Sequence, residues 1–274
     1  MKKNWIVLMM TMLPLLLTAC DYSKQEDRSG WFYFIFVKPI DMFLHGLGKL
    51  FNDNYGLAII MIVLTIRLIL MPFMLIQVKN MHLIREKTKI VQPQIDNIKQ
   101  RVRDAQTQEE KREANRDLMT TYKRYDINPI KSVIGCLPIL IQLPILFGLI
   151  VTLKFPSSGG IDQFPHFLWF NLTKPDLWMS LIAAAIYFIQ PLVNAMHYPK
   201  NQRKTYYVMM ILSPIFITYI SLHSAAALGL YWTFSGLFLI LQMHFAHSYY
   251  SKQAKQEALK LEHSLDKANT ELNN

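Results

Sequence analysis

With 274 residues, 52% of them hydrophobic and only 18% charged, the chain is too apolar for an ordinary soluble domain and fits a polytopic membrane protein. Its net charge of +10 raises the nucleic-acid class, but the basic residues gather in alternate segments between apolar runs, which fits membrane topology rather than specific DNA. The two cysteines, Cys20 and Cys136, lie in different environments and cannot define a disulfide framework, so no structural disulfide is expected.

The N-terminus carries Lys2 and Lys3, then an apolar run, then Leu17-Thr18-Ala19-Cys20. A positive start, a short apolar stretch and small residues before a cut site predict a secretory signal over 1–19. The apolar run is too short for a comfortable span. Its ending resembles a bacterial lipobox. That likeness implies diacylglycerol on the Cys20 sulfur, cleavage before Cys20 and acylation (palmitate) of the new amine, with the lipidated N-terminus on the outer face. An ordinary signal that happens to contain a cysteine is the other reading. A polar stretch follows, and then the aromatic segment from Trp31 to Phe51. Pro39 and two glycines argue against a full span there. An amphipathic segment in the interface and a loop packed on the bundle both remain open. The expected outer N-terminal region is 20–54.

Five spans are predicted at 55–78, 133–153, 177–197, 206–222 and 225–247, each near the roughly 20 residues a spanning helix needs. Arg67 lies near the midpoint of the first. Placing it there costs about 2.5–3.5 kcal/mol on a translocon scale. No other predicted span offers an Asp or Glu near mid-membrane to pair with it. Such a cation either faces water or a visiting group, or it snorkels and bonds to backbone carbonyls.

Segments 79–131, 199–205 and 248–274 hold 20 Lys and Arg, against 6 in 21–54 and 154–176. The positive-inside rule places the first three in the cytoplasm, giving N-out, five spans and C-in. The loop 154–176 is then extracellular. Within 79–131, Ile84, Val91 and Ile98 recur every seven residues, and Thr88, Ile95 and Val102 recur likewise. Thr107 to Glu110 matches a capping box that starts a second helix, with Ala114, Leu118, Tyr122 and Tyr125 as its apolar face. The expectation is a cytoplasmic antiparallel helical hairpin, its first helix kinked at Pro93. The hairpin carries 13 basic and 8 acidic residues, as a solvated surface does; attraction to anionic lipid or to RNA is a second role. The tail from Ser248 reads as a short, frayed, solvated helix.

Enzymatic motifs are missing: no nucleotide-binding glycine loop, nucleophile elbow or zinc-binding helix is present, and neither a metal nor another cofactor is expected. His244, His247, His197 and His223 read as interfacial histidines at span ends. The polar groups at membrane depth are Arg67, Thr65, Gln142, Gln190, Trp232, Ser235 and Gln242. They act either as helix glue, at about 0.6 kcal/mol each, or as the lining of one wet cavity with Arg67.

The run from Tyr125 through Asn128-Pro129, Gly135-Cys136-Leu137-Pro138 and Gln142-Leu143-Pro144 resembles the second-span signature of the YidC/Oxa/Alb membrane protein insertases. The Arg67 that precedes Met71-Pro72, the pair Gln92-Pro93 and the run Gly229-Leu230-Tyr231-Trp232 strengthen the likeness, which covers about 50–247. A lipoprotein signal with no large extracellular domain resembles the Gram-positive form. The resemblance implies an all-α bundle of five transmembrane helices around a groove open to the cytoplasm and to lipid. Arg67 would attract acidic residues of a substrate's translocated segment. Gln190 and Trp232 would line the groove, and the substrate helix would slide along the third and fifth spans into lipid. The hairpin would receive the substrate. Implied partners are nascent membrane proteins and some lipoproteins, the Sec translocon, the ribosome and membrane lipids, in the plasma membrane.

Two other readings stand beside it. A small-anion transporter using Arg67 would show internal repeats and paired broken helices, and none is visible. A scaffold that assembles membrane proteins without inserting them fits the same residues. No small-molecule substrate is otherwise expected.

Overall fold

A computed structural model describes residues 30–128, 137–155, 160–198 and 203–272. The signal segment 1–19, Cys20 and Cys136 lie outside these described residues. The chain is an all-α membrane protein with one two-residue antiparallel ladder. Helix α1 begins with a π-helical stretch, Tyr33–Val37, and continues as Lys38–Leu50. Pro39 lies just after the π-helical stretch, inside the continuous helix. The segment between Trp31 and Phe51 is thus helical and two-faced. Val37 and Leu44 are buried, while Trp31, Phe34, Met42 and Leu50 are exposed.

Helices α2 (Tyr55–Ile90), α3 (Gln92–Asp104), α4 (Gln108–Arg124) and α5 (Leu137–Lys154) follow. Strands β1 (His166–Phe167) and β2 (Phe170–Asn171) pair antiparallel, with Phe167 opposite Phe170. The last helices are α6 (Leu177–Met196), α7 (Arg203–Leu222) and α8 (Ala226–Leu272). Among the described residues, α2, α6, α7 and α8 are long and apolar enough to cross a membrane. Helix α5 is apolar too, and its 18 residues give about 27 Å at 1.5 Å per residue. Helix α2, with 36 residues, is about 54 Å long and exceeds a hydrocarbon core of about 30 Å.

The chain divides into two compact units, Met1–Arg67 with Leu140–Leu239, and Leu68–Ile139 with Ile240–Asn274. The first unit is built on Leu44, Tyr55, Ile59, Ile62, Leu149, Leu172, Leu230 and Trp232. Its helix ends are satisfied locally. Asp176 accepts from the Met179 N–H at 2.7 Å and caps α6. The Ala226 and Ala227 N–H groups at the start of α8 donate to the Lys174 and Leu172 carbonyls. Small residues let these elements approach. A Cβ on Gly56 would lie 2.1 Å from the Phe167 ring. Gly56→Leu is therefore expected to destabilise this unit by about 1–3 kcal/mol or more through overpacking. A fall in the thermal unfolding midpoint of the detergent-solubilised chain checks this.

The second unit has its own core of Val91, Ile95, Tyr125 and Ile127, with Ile84, Leu118 and Tyr122 packed on it. Pro93 does not kink a continuous helix as expected. It lies in the first turn of α3, and the break falls at Val91, whose φ and ψ of −99° and 11° leave the helical region. Ending one helix and starting another is the lower-energy use of a proline than keeping it in a helix interior. Thr107 accepts from the Glu110 N–H while Glu110 accepts from the Thr107 N–H, so the capping box is formed at the start of α4. The Gln106 and Thr107 backbone N–H groups hold the Glu110 carboxyl below the usual glutamate range. The cap's contribution is therefore present above that range and lost as pH falls through and below it. Protection of the first α4 amides, taken relative to their intrinsic exchange rate at each pH, is expected to fall on acidification. Thr107→Ala should lower that protection at neutral pH, at a cost of about 1 kcal/mol.

The tail differs from its expected frayed state. It continues α8 without interruption to Leu272. Ala254 and Ala258 are buried, and Leu261 and Leu265 pack on the Val91–Ile95 core. Their spacing of three and four residues forms one helical face, whose burial stabilises an end that would otherwise fray.

Candidate functional site

The inward face of α2 carries Ile59, Ile62, Val63 and Leu70, all buried, at helical spacing. Arg67 falls in the same stripe, four residues after Val63, and is only 9% exposed. Leu68 and Ile69, beside it in sequence, are exposed at 55% and 64%. The helical period thus turns the charge inward and the leucine and isoleucine outward.

Arg67 meets Ser235 of α8, which is fully buried. Both Nε and Nη2 donate to Ser235 Oγ, the first at 3.0 Å. Tyr231 of α8 is buried in the core of this unit, and Tyr187 of α6 packs against that core. Gln142 of α5 donates from Nε2 to the Tyr231 hydroxyl at 2.9 Å. Trp232 lies in the core beside them, 5% exposed. No carboxylate among the described residues pairs with Arg67. The site is a buried cation held by one neutral hydroxyl, with no carboxylate paired to it among the described residues.

Of the residues singled out in the sequence, Arg67 bonds Ser235, and Gln142 bonds Tyr231 in the same unit. Gln190 is half-buried on α6, next to Pro191, and its side chain forms no described hydrogen bond. Gln242 is half-buried and belongs to the second unit, where its Nε2 has no partner among the described residues. Sequence reasoning missed Tyr187 and Tyr231. The run Gly229-Leu230-Tyr231-Trp232 marked the start of α8, and the tyrosine in it was a usable signal. Tyr187 gave none beyond lying three residues before Gln190. The unit is packed closely here, since a Cβ on Gly236 would lie 2.4 Å from Ile186, the neighbour of Tyr187.

In the second unit His247, read from the sequence as interfacial, packs inside the protein. His247 is 1% exposed, and its Nδ1 lies 2.8 Å from His82 Nε2. Arg85 Nη2 lies 3.0 Å from His82 Nδ1. An arginine only donates, so His82 carries its hydrogen on Nε2 and donates it to His247. Glu86 is bound by Arg85 and by Lys89, the latter at 2.7 Å. Among the described residues no group of three metal-ligating side chains gathers.

Known proteins bear on this arrangement. The family model described as 60Kd inner membrane protein matches residues 46–254. The chain is 63% identical over 260 residues to the membrane protein insertase YidC 1 of Staphylococcus epidermidis, covering 94% of each. It is 52% identical over 257 residues to the membrane protein insertase YidC of Staphylococcus carnosus, covering 94% of this chain and 89% of that one. The protein of the same name in Staphylococcus aureus is 52% identical over 258 residues with the same coverage.

Proposed function

Because the chain belongs to the YidC/Oxa/Alb family of membrane protein insertases, we propose that it inserts nascent membrane proteins by drawing an acidic segment of the substrate to Arg67. It is a membrane protein insertase and not an enzyme. It is a multi-pass protein of the plasma membrane, and nascent membrane proteins are what it acts on. One observation carries the role of Arg67: a buried guanidinium bonded to Ser235 with no carboxylate partner among the described residues. At an effective dielectric of 20, two unit charges about 4 Å apart attract by about 4 kcal/mol, against about 1 kcal/mol in water. A carboxylate reaching Arg67 therefore gains more than it does in solution. The apolar part of the substrate then partitions into lipid. The membrane potential adds about 2.3 kcal/mol per charge per 100 mV for acidic residues moving outward.

The rest of the proposal follows from charge and hydropathy. Five spans run N-out and C-in, with α5 as the second. Gln142, Gln190, Trp232 and Ser235 line the groove, the pair α3 and α4 receives the substrate in the cytoplasm, and Cys20 is lipidated on the outer face. The Sec translocon and the ribosome are proposed partners. The test uses the full chain in proteoliposomes and a single-span substrate with an acidic translocated segment, beside a version with that segment neutral. The acidic version should insert faster. Equal rates would remove the charge-attraction reading and favour an apolar slide or a non-inserting scaffold.

A further inference from the structure

We infer that the tip of the β1–β2 hairpin, Leu168 and Trp169, is a lipid anchor seated in the headgroup layer on the side of the membrane where α2, α6 and α8 begin. In the proposed N-out orientation that side is the outer leaflet.

The height of the hairpin is set by what its base touches. The Phe167 ring packs over Gly56, in the first turn of α2, in the space a Cβ there would need. In the first turn of α8, the Ala227 N–H donates to the Leu172 carbonyl at 3.0 Å and the Ala226 N–H to the Lys174 carbonyl at 2.8 Å. Asp176, two residues after Lys174, caps α6. The hairpin is thus tied to the starts of three helices long and apolar enough to cross a membrane. Where such a helix starts, its chain passes from the headgroup layer into hydrocarbon. Leu168 directly follows Phe167, and consecutive Cα atoms are about 3.8 Å apart. The tip therefore lies at the level of the headgroups.

The residues at the tip suit lipid and not water. Phe167 pairs with Phe170, so Leu168 and Trp169 are the two turn residues between the strands. Such turns favour glycine, asparagine and aspartate, which accept a positive φ. Here the positive φ, 53°, falls on Leu168. A leucine is strained in that region, where glycine is not. The leucine is also 75% exposed, so it gains no packing inside the protein that would offset the strain. Contact with lipid does offset it, because an apolar side chain gains on leaving water. Trp169 is exposed beside it, and tryptophan rings concentrate at membrane interfaces. Leu177 and Trp178, in the first turn of α6, are exposed as well and continue the same belt. The base is rigid: Phe167 and Phe170 are buried and meet edge to face at 5.9 Å, and Trp169 meets Phe170 the same way at 5.3 Å. An anchor on this base holds the starts of α2 and α8 at a fixed height in the bilayer.

The experiment reads the fluorescence of Trp169 in the full chain reconstituted in liposomes, taken as the part of the tryptophan emission that Trp169→Phe removes. Two quenchers are compared: phosphatidylcholine brominated near the headgroup end of its acyl chains, and iodide on both sides of the membrane. Trp169 is expected to emit to the blue of tryptophan in water and to lose intensity to the brominated lipid. Leu168→Asp is expected to shift that emission to the red, weaken the lipid quenching and raise the quenching by iodide, because a carboxylate at the tip resists leaving water. Both positions are exposed, so neither substitution disturbs the core. Absence of quenching by brominated lipid in the wild-type chain overturns the anchor and places the hairpin in water. Lipid quenching that is unchanged in Leu168→Asp overturns the part assigned to Leu168.

Discussion

Arg67→Ala in the full chain is expected to lower insertion of an acidic-segment substrate about tenfold or more, with Arg67→Lys falling between Ala and wild type. About a third of the roughly 4 kcal/mol available to a charge pair at an effective dielectric of 20 already amounts to tenfold. Lysine keeps the charge, so the attraction survives in part. It lacks the planar pair of N–H groups that Arg67 directs at Ser235, so the grip weakens. Growth of insertase-depleted cells, scored with the amount of inserted substrate, separates the three chains. Full activity of Arg67→Ala would leave a groove that works by shape. Activity of Lys equal to Ala would mean that the guanidinium geometry matters and the charge alone does not.

Ile95→Ala is expected to cost about 2–5 kcal/mol, the usual range for emptying a fully buried aliphatic site. Ile95 is 0% exposed at the centre of the second core, between Val91, Tyr125 and Ile127. That core is small, so one cavity removes a large share of its apolar contact. It also holds Leu261 and Leu265 of the tail, and loosening it should free the end of α8. Limited proteolysis checks this: cleavage should appear near 95–128 and in the tail beyond residue 250. Met119, on the same pair of helices and 47% exposed, is the control, because Met119→Ala empties no cavity and should leave the cleavage pattern unchanged. Cleavage confined to 95–128 would show that the tail is held by its own contacts on α8, such as those of Ala254 and Ala258.

Local pattern made several features readable. The Thr107–Glu110 capping box needs only residues three apart, and it forms. Helix ends were less readable. Hydropathy changes near residue 79 and near residue 248, but backbone hydrogen bonding does not, so α2 runs on to Ile90 and α8 to Leu272. A hydropathy boundary marks where a helix leaves lipid and not where it stops.

By itself, the sequence determined the class, the presence of several apolar helices and the presence of a costly cation in one of them. These depend on composition and on spacings within one turn or two. Only the tertiary structure decided what that cation touches. Ser235 lies 168 residues from Arg67. The pairing of His82 with His247, 165 residues apart, was hidden for the same reason. Which side chains meet across helices is set by packing of whole helical faces, and no local spacing encodes it.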